Sequence, residues 1–102
     1  MAILDIIEKN NWYQVFDERN KEICKKSVVQ TGKILGFSED LIIVIKNSWV
    51  TVYSEDFREI SKKPQPSLGE FKNISGDTIN FVKNNWVVTY DRYFKEISKR
   101  PN

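Results

Sequence analysis

The sequence predicts an all-β protein built from three repeats of 37 residues. A Lys-Asn-x-Trp motif begins at Lys9, Lys46 and Lys83, so the offset is 37 residues both times (46 − 9 and 83 − 46) and nothing is inserted between copies. A fixed period of this length is typical of repeat architectures. Six positions carry the same residue in all three copies. They are Lys9/Lys46/Lys83, Asn10/Asn47/Asn84, Trp12/Trp49/Trp86, Glu22/Glu59/Glu96, Ile23/Ile60/Ile97 and Lys25/Lys62/Lys99.

The strands follow from composition and from the residues that interrupt it. Residues 41–45 and 49–53 are rich in β-branched and aromatic side chains, which favours two strands. Asn47 lies between them, and asparagine tolerates a positive φ, so a tight hairpin with a primed two-residue turn is predicted. A polar turn at 54–56 leads to a third strand that ends at Pro64, because proline cannot donate to a β-ladder.

A fourth strand is predicted before the hairpins of the second and third repeats, at residues 32–37 and 69–74. The first repeat lacks this strand and begins with the strand at residues 4–7, so the expected strand counts are three, four and four. One sheet edge is therefore expected to be open to pairing, within the molecule or with a partner.

The chain is expected to form a single domain, residues 1–102, with repeats at 1–27, 28–64 and 65–101. Its 40% hydrophobic and 29% charged residues are typical of a globular protein. A pseudo-threefold arrangement is predicted, either a β-prism or a three-bladed propeller-like fold, with a β-trefoil as the alternative. Propellers normally close with about four to eight blades, so a three-bladed chain could dimerise into a larger ring.

The repeat signature, Trp-x-x-x-Tyr/Phe-Asp followed by Lys/Arg-Glu-Ile, resembles short tandem β-repeats in small bacterial proteins. Asp17 and Asp91 match it, whereas Ser54 departs from it. No activity is assigned to such repeats, so the resemblance implies no functional residue.

Composition argues against several chemistries. The chain has no histidine, which is the usual general base near neutral pH and a common zinc ligand. Its single cysteine, Cys24, occupies the column of Ser61 and Ser98 and is interpreted as a packing residue. We therefore expect no enzyme activity, no cofactor and no metal. Residues 2–8 match neither a signal peptide nor a membrane span, which predicts a cytoplasmic protein without membrane contact.

The tryptophans Trp12, Trp49 and Trp86 are the first candidate binding residues. Each shares a strand face with the aromatic residue four positions later, because side chains alternate along a strand. They either fill the core between sheets or form three equivalent platforms on which sugars or bases stack.

Basic doublets are the second candidate binding residues: Lys25 with Lys26, Lys62 with Lys63, and Lys99 with Arg100. Together they could form a ring of cations for a phosphate ligand, or they are solvated strand ends. The identical glutamates are expected to pair with lysines, because three similar environments do not supply the distinct acid and base of a hydrolase.

Two functional hypotheses follow. The first is a non-catalytic binding or assembly module that presents three similar surfaces and acts by homo-oligomerisation or by binding a protein or glycan partner. The alternative is a small anion binder that captures nucleotides or nucleic acid through the basic doublets and tryptophans, as an inhibitor or a sponge.

Overall fold

The computed structural model describes residues 2–102 and contains three antiparallel sheets, so the predicted all-β class is confirmed. The first sheet contains β1 (Ile3–Lys9), β2 (Trp12–Asp17) and β3 (Glu22–Ser27), in that order. The second contains β4 (Lys33–Phe37), β5 (Leu41–Lys46), β6 (Trp49–Ser54) and β7 (Glu59–Pro64). The third contains β8 (Glu70–Ser75), β9 (Thr78–Lys83), β10 (Trp86–Tyr90) and β11 (Glu96–Pro101). The predicted strand counts of three, four and four are also confirmed.

Each sheet has a two-residue hairpin turn at the place the asparagines predicted. Both turn residues have positive φ in all three sheets, for example 51° at Asn47 and 65° at Ser48. This is the signature of a type I′ turn, whose twist matches that of the flanking strands. The predicted primed hairpins are confirmed, and each turn sets a tryptophan as the first residue of the following strand.

Two short helices connect the sheets and were not predicted. They are α1 (Val28–Thr31) and α2 (Gln65–Leu68), each a single turn. Four residues are too few to show a helical period in the sequence. Each helix ends at a glycine with positive φ, 100° at Gly32 and 89° at Gly69, where the chain enters the next sheet.

The three sheets stack face to face, with the second sheet in the middle. One buried cluster joins Val15 of the first sheet to Ile42 and Val44 of the second. Another joins Ile43 of the second sheet to Phe81 of the third. Because successive residues of β5 contact different neighbours, both faces of the middle sheet are buried, and residues 41–44 have almost no exposed surface.

The same face of each sheet packs on the sheet before it in both interfaces. The face of a sheet that carries its tryptophan is called here its tryptophan face, and the other its opposite face. The tryptophan face of the second sheet packs on the opposite face of the first. The tryptophan face of the third sheet packs in the same way on the opposite face of the second.

Two equivalent hydrogen bonds cross these interfaces. The Ser61 hydroxyl donates to the Arg92 carbonyl oxygen at 2.7 Å. One repeat earlier, the Cys24 thiol lies 4.0 Å from the Glu55 carbonyl oxygen. The cysteine thus makes the contact that serine makes in the next repeat.

No helix among residues 2–102 is both long enough and apolar enough to span a membrane.

Candidate functional site

Three clefts lie at equivalent positions beside the hairpin turns, one on each sheet. They are called here the first, second and third tryptophan clefts, and their volumes are about 340, 300 and 370 Å³. The first is lined by Lys9, Asn10, Trp12, Gln14 and Lys25. The second is lined by Gln30, Thr31, Lys46, Asn47, Trp49, Thr51, Tyr53, Glu59 and Lys62. The third is lined by Ser67, Lys83, Asn84, Trp86, Val88, Tyr90, Glu96 and Lys99.

Each tryptophan is half-buried, so it is neither a core residue nor a free platform. The exposed fractions of Trp12, Trp49 and Trp86 are 44%, 43% and 40%. Part of each indole is covered by residues of its own sheet, among them the lysine over its ring. The remainder is accessible from the cleft.

A lysine ammonium lies over each indole ring. The distances from Nζ to the ring centroid are 5.5 Å for Lys25, 5.2 Å for Lys62 and 5.1 Å for Lys99. The register explains this contact, since Lys62 pairs with Thr51 on β6, two residues along the tryptophan face from Trp49. A cation–π contact of this exposed kind contributes about 0.5–1 kcal/mol.

The basic doublets are split between the two faces of each sheet. Successive residues of a strand point to opposite sides, so only the first member of each doublet reaches the tryptophan of its own sheet. Lys63, the second member in the second sheet, instead reaches across the interface and lies 5.5 Å from the Tyr90 ring centroid. Each doublet therefore contributes one lysine to the cleft of its own sheet, and the six doublet residues do not form one ring.

The connecting helices form a wall of the second and third clefts. The Lys46 ammonium donates to the Gln30 carbonyl oxygen at 2.7 Å, and the Lys83 ammonium donates to the Ser67 carbonyl oxygen at 3.3 Å. The first sheet has no preceding helix within the described residues, so the first cleft is open on that side.

A tyrosine and a glutamate lie together in the second and third clefts. Burial raises the pKa of Tyr53, and the charge of Glu59 raises it further. Burial and then Glu96 raise the pKa of Tyr90 in the same way. Both phenols therefore stay protonated at neutral pH and can donate to a ligand or to the glutamate.

The expected pairing of the identical glutamates with lysines is wrong for the described residues. No lysine nitrogen there comes within 4.0 Å of the carboxylate of Glu22, Glu59 or Glu96. In the first sheet the partner is an amide, since Gln14 donates to Glu22 at 3.1 Å. The glutamates of the second and third clefts keep their carboxylates available to a ligand.

The single cysteine of the chain, Cys24, lies outside the clefts and its thiol is not activated as a nucleophile. Burial raises the pKa of the Cys24 thiol, which keeps it in the unreactive protonated form. The described residues also hold no group of three or more acidic or cysteine side chains arranged to bind a metal.

Sequence reasoning selected the tryptophans and lysines of the clefts but missed other lining residues. Asn47 and Lys46 could have been added, because their columns are identical in all repeats. Gln30 and Ser67 carry no such signal, since they differ in type and lie in the single-turn helices that the sequence did not predict.

No protein-family model matches this chain, and comparisons with curated proteins and with solved structures also find no match. The site is therefore interpreted from its own geometry.

Proposed function

We propose that this protein is a non-catalytic, multivalent binding module that holds a saccharide in its tryptophan clefts. The three clefts recur with the same cation, amide and indole, and with a glutamate on the same sheet face. Such a set can hold a ligand at several points of a repeating chain.

One observation carries this proposal: the positions that are identical in all three repeats lie mostly at the clefts, while the positions that fill the core vary. Five of the six identical columns are the cleft lysines, asparagines, tryptophans and glutamates and the lysines over the indoles. By contrast, Val44 and Phe81 share one column and Thr51 and Val88 share another, and all four are buried. Packing alone tolerates such changes, so the unchanged surface columns point to a shared ligand.

The chemistry of the clefts fits a sugar that carries an acidic group. The exposed part of the indole offers an apolar surface on which a pyranose ring can pack. Glu59 and Asn47 offer an acceptor and an amide for hydroxyl groups, and Lys46 and Lys62 offer two cations for a carboxylate.

The proposal includes a propeller-like arrangement in which the three sheets are successive blades, each related to the next in the same way. The repeated polarity of stacking supports it, because each tryptophan face packs on the opposite face of the sheet before it. Equivalent clefts then lie along one side of the molecule, separated by roughly the 10 Å that separates packed sheets.

The second candidate function is the binding of nucleotides or nucleic acid. The observation that favours it is the excess of cations at the third cleft, where Lys83 and Lys99 line the wall and Lys63 lies over Tyr90. Glu96 is the single acidic lining residue there. Binding of this kind would weaken steeply with salt.

The test is a titration observed through the three indole N–H signals in a ¹H–¹⁵N spectrum. Single Trp→Phe variants assign the signals. The probes are oligogalacturonate, sialyllactose, maltohexaose and chitohexaose as saccharides, with AMP and oligo-dT as anions. We expect an acidic saccharide to shift the Trp49 and Trp86 signals at lower concentration than Trp12, because the first cleft lacks a helix wall and has Phe16 in place of tyrosine.

Lys62→Gln is the diagnostic variant and Lys63→Gln the matched control. The first change removes the ammonium over Trp49 and is expected to weaken binding at that indole about three- to tenfold, which corresponds to about 1 kcal/mol. The second removes the neighbouring charge from the other face and is expected to leave the Trp49 signal unchanged. A response only to AMP or oligo-dT would favour the second candidate, and no response to any saccharide would contradict the proposal.

A further inference from the structure

Strand β1 leaves both its outer edge and two of its large apolar side chains, Leu4 and Ile7, exposed. In the described residues β1 lies at the edge of its sheet, whereas the equivalent strands β5 and β9 are covered by β4 and β8. The face of β1 that carries Ile7 is also uncovered in the described residues, so Ile7 is 45% exposed, whereas Val44 and Phe81 are buried against the preceding sheet. An exposed edge strand of this kind is a template for pairing with another strand.

The hydrogen-bonding groups of β1 alternate between its two sides. The hairpin closes on the pair Lys9 and Trp12, so Lys9, Ile7 and Asp5 bond inward to β2. The peptide groups of Ile6 and Glu8 therefore point outward. The Ile6 N–H donates to the carboxylate of Asp5 at 2.9 Å, which protects that edge in the single chain.

The tryptophan face of β1 is complementary to itself when reversed. It carries Asp5, Ile7 and Lys9 at successive positions. If two copies of β1 pair antiparallel with Ile7 at the centre, Ile7 faces Ile7, and each Asp5 faces Lys9 of the second copy. In that register Ile6 and Glu8 of the two copies form hydrogen-bonded pairs through their outward peptide groups. Opposite charges directly across a strand pair are favourable.

We propose that a second copy of this chain is the partner of β1, and that the two first sheets join into one continuous sheet through antiparallel β1–β1 pairing. The contact is isologous, so it closes as a twofold dimer and leaves no further edge of β1 exposed. The Asp5 carboxylate exchanges its contact with the Ile6 N–H for Lys9 of the second copy. This inference does not depend on the ligand of the clefts.

Charge variants test the pairing through subunit mass, measured by native mass spectrometry and by light scattering during size exclusion at increasing concentration. The wild-type chain is expected to be a dimer. Asp5→Lys and Lys9→Asp are each expected to be monomers, because each places like charges opposite one another. Mixing the two variants is expected to give a one-to-one heterodimer, in which the two lysines of one chain face the two aspartates of the other.

Lys46→Asp is the matched control, because it makes the same change in the second sheet, where β4 covers the strand. It is expected to remain a dimer, and circular dichroism checks that every variant is folded. A wild-type monomer at all concentrations would overturn the proposal, as would dimers that survive both charge variants. Two folded monomeric variants that do not combine on mixing would overturn it too. Asp5 would then serve only to accept the Ile6 N–H at the edge of the single chain.

Discussion

Positive φ at particular residues fixes how the chain turns between strands. Phe57 and Phe94 adopt φ near 60°, a conformation that costs of the order of 1–3 kcal/mol for a bulky residue. Both are buried against the preceding sheet, and that burial offsets the strain. The equivalent residue of the first repeat is Asn20, which adopts the same φ at little cost, and the described residues form no sheet before it for a side chain to contact.

Gly69 is the residue at which a side chain is least tolerated. A Cβ there would lie 2.2 Å from the Val82 carbonyl oxygen, at a φ of 89°. We expect Gly69→Ala to lower the free energy of unfolding by about 3 kcal/mol, through overpacking and backbone strain. Gly76→Ala is the control, since a Cβ at Gly76 has nothing within 4 Å. It is expected to cost only about 1 kcal/mol from its left-handed φ. Urea unfolding measures both, and equal losses would contradict this account.

The turn that follows β2, β6 or β10 is closed by a side-chain oxygen at the same position of each repeat, which is Asp17, Ser54 or Asp91. Asp17 accepts from the Arg19 and Lys21 N–H groups, both at 2.9 Å. Asp91 accepts from backbone N–H groups in the same way, and in the second sheet the Ser54 hydroxyl accepts from the Arg58 N–H at 3.1 Å. Serine thus departs from the repeat signature without loss of the turn.

Acid is expected to weaken the Asp17 turn. The hydrogen bond from the Lys21 N–H, with that from Arg19, holds the pKa of Asp17 below its ordinary 3.8. Since the folded pKa is depressed, the stabilisation is complete above the unfolded value and is lost as the pH falls through the folded value. Asp17→Asn removes this titration, so its urea midpoint should fall less on acidification than that of the wild type. Asp40→Asn, an exposed change, serves as the control and should retain the wild-type pH dependence.

At the scale of the whole molecule, the outer face of the third sheet is polar where the interior of the stack is apolar. Ile43 faces the third sheet, whereas Asn80, one repeat later, lies on a free face. The side chains of Asn80, Asn73 and Thr89 are hydrogen-bonded to one another across that face. A polar outer face of this kind is what terminal repeats of a stacked protein need. We therefore do not expect chains to pair through the outer face of the third sheet.

Two single substitutions, each of which introduces the residue found at the equivalent position of the other repeat, test which faces pack together. Ile43→Asn is expected to destabilise the protein by about 3 kcal/mol or more, because it buries an amide and removes apolar contacts. Asn80→Ile is expected to change the stability by about 1 kcal/mol or less, since it loses one exposed and one partly buried hydrogen bond. Thermal and urea unfolding give both values. A tolerated Ile43→Asn would show that the second and third sheets do not pack on each other as described.

Much of the fold could be predicted because its signals are local. The type I′ turns follow from the asparagines, and the strand ends follow from Pro64 and Pro101. The missing strand of the first sheet follows from counting repeats. The helices α1 and α2 could not be predicted, since a single turn has no period and is stabilised by the sheets that it connects.

The candidate site was predicted only in part, for a related reason. The tryptophans and lysines were visible as identical columns, but the sequence does not show that Trp49 is half-buried, which only the folded structure decides. The doublets read as continuous charge in the sequence, although strand geometry sends Lys62 and Lys63 to different faces. The contact of Lys63 with Tyr90, between different sheets, is visible only in the stacked molecule.

The sequence by itself therefore determined the strands, the hairpins, the 37-residue spacing and the residue types available for binding, because backbone preference and repetition act over a few residues. Tertiary structure alone decided that the sheets stack in order with both faces of the middle one buried. It also decided that Lys63 of the second sheet lies over Tyr90 of the third. These properties depend on contacts between residues of different repeats, and periodicity along the chain carries no information about which faces meet.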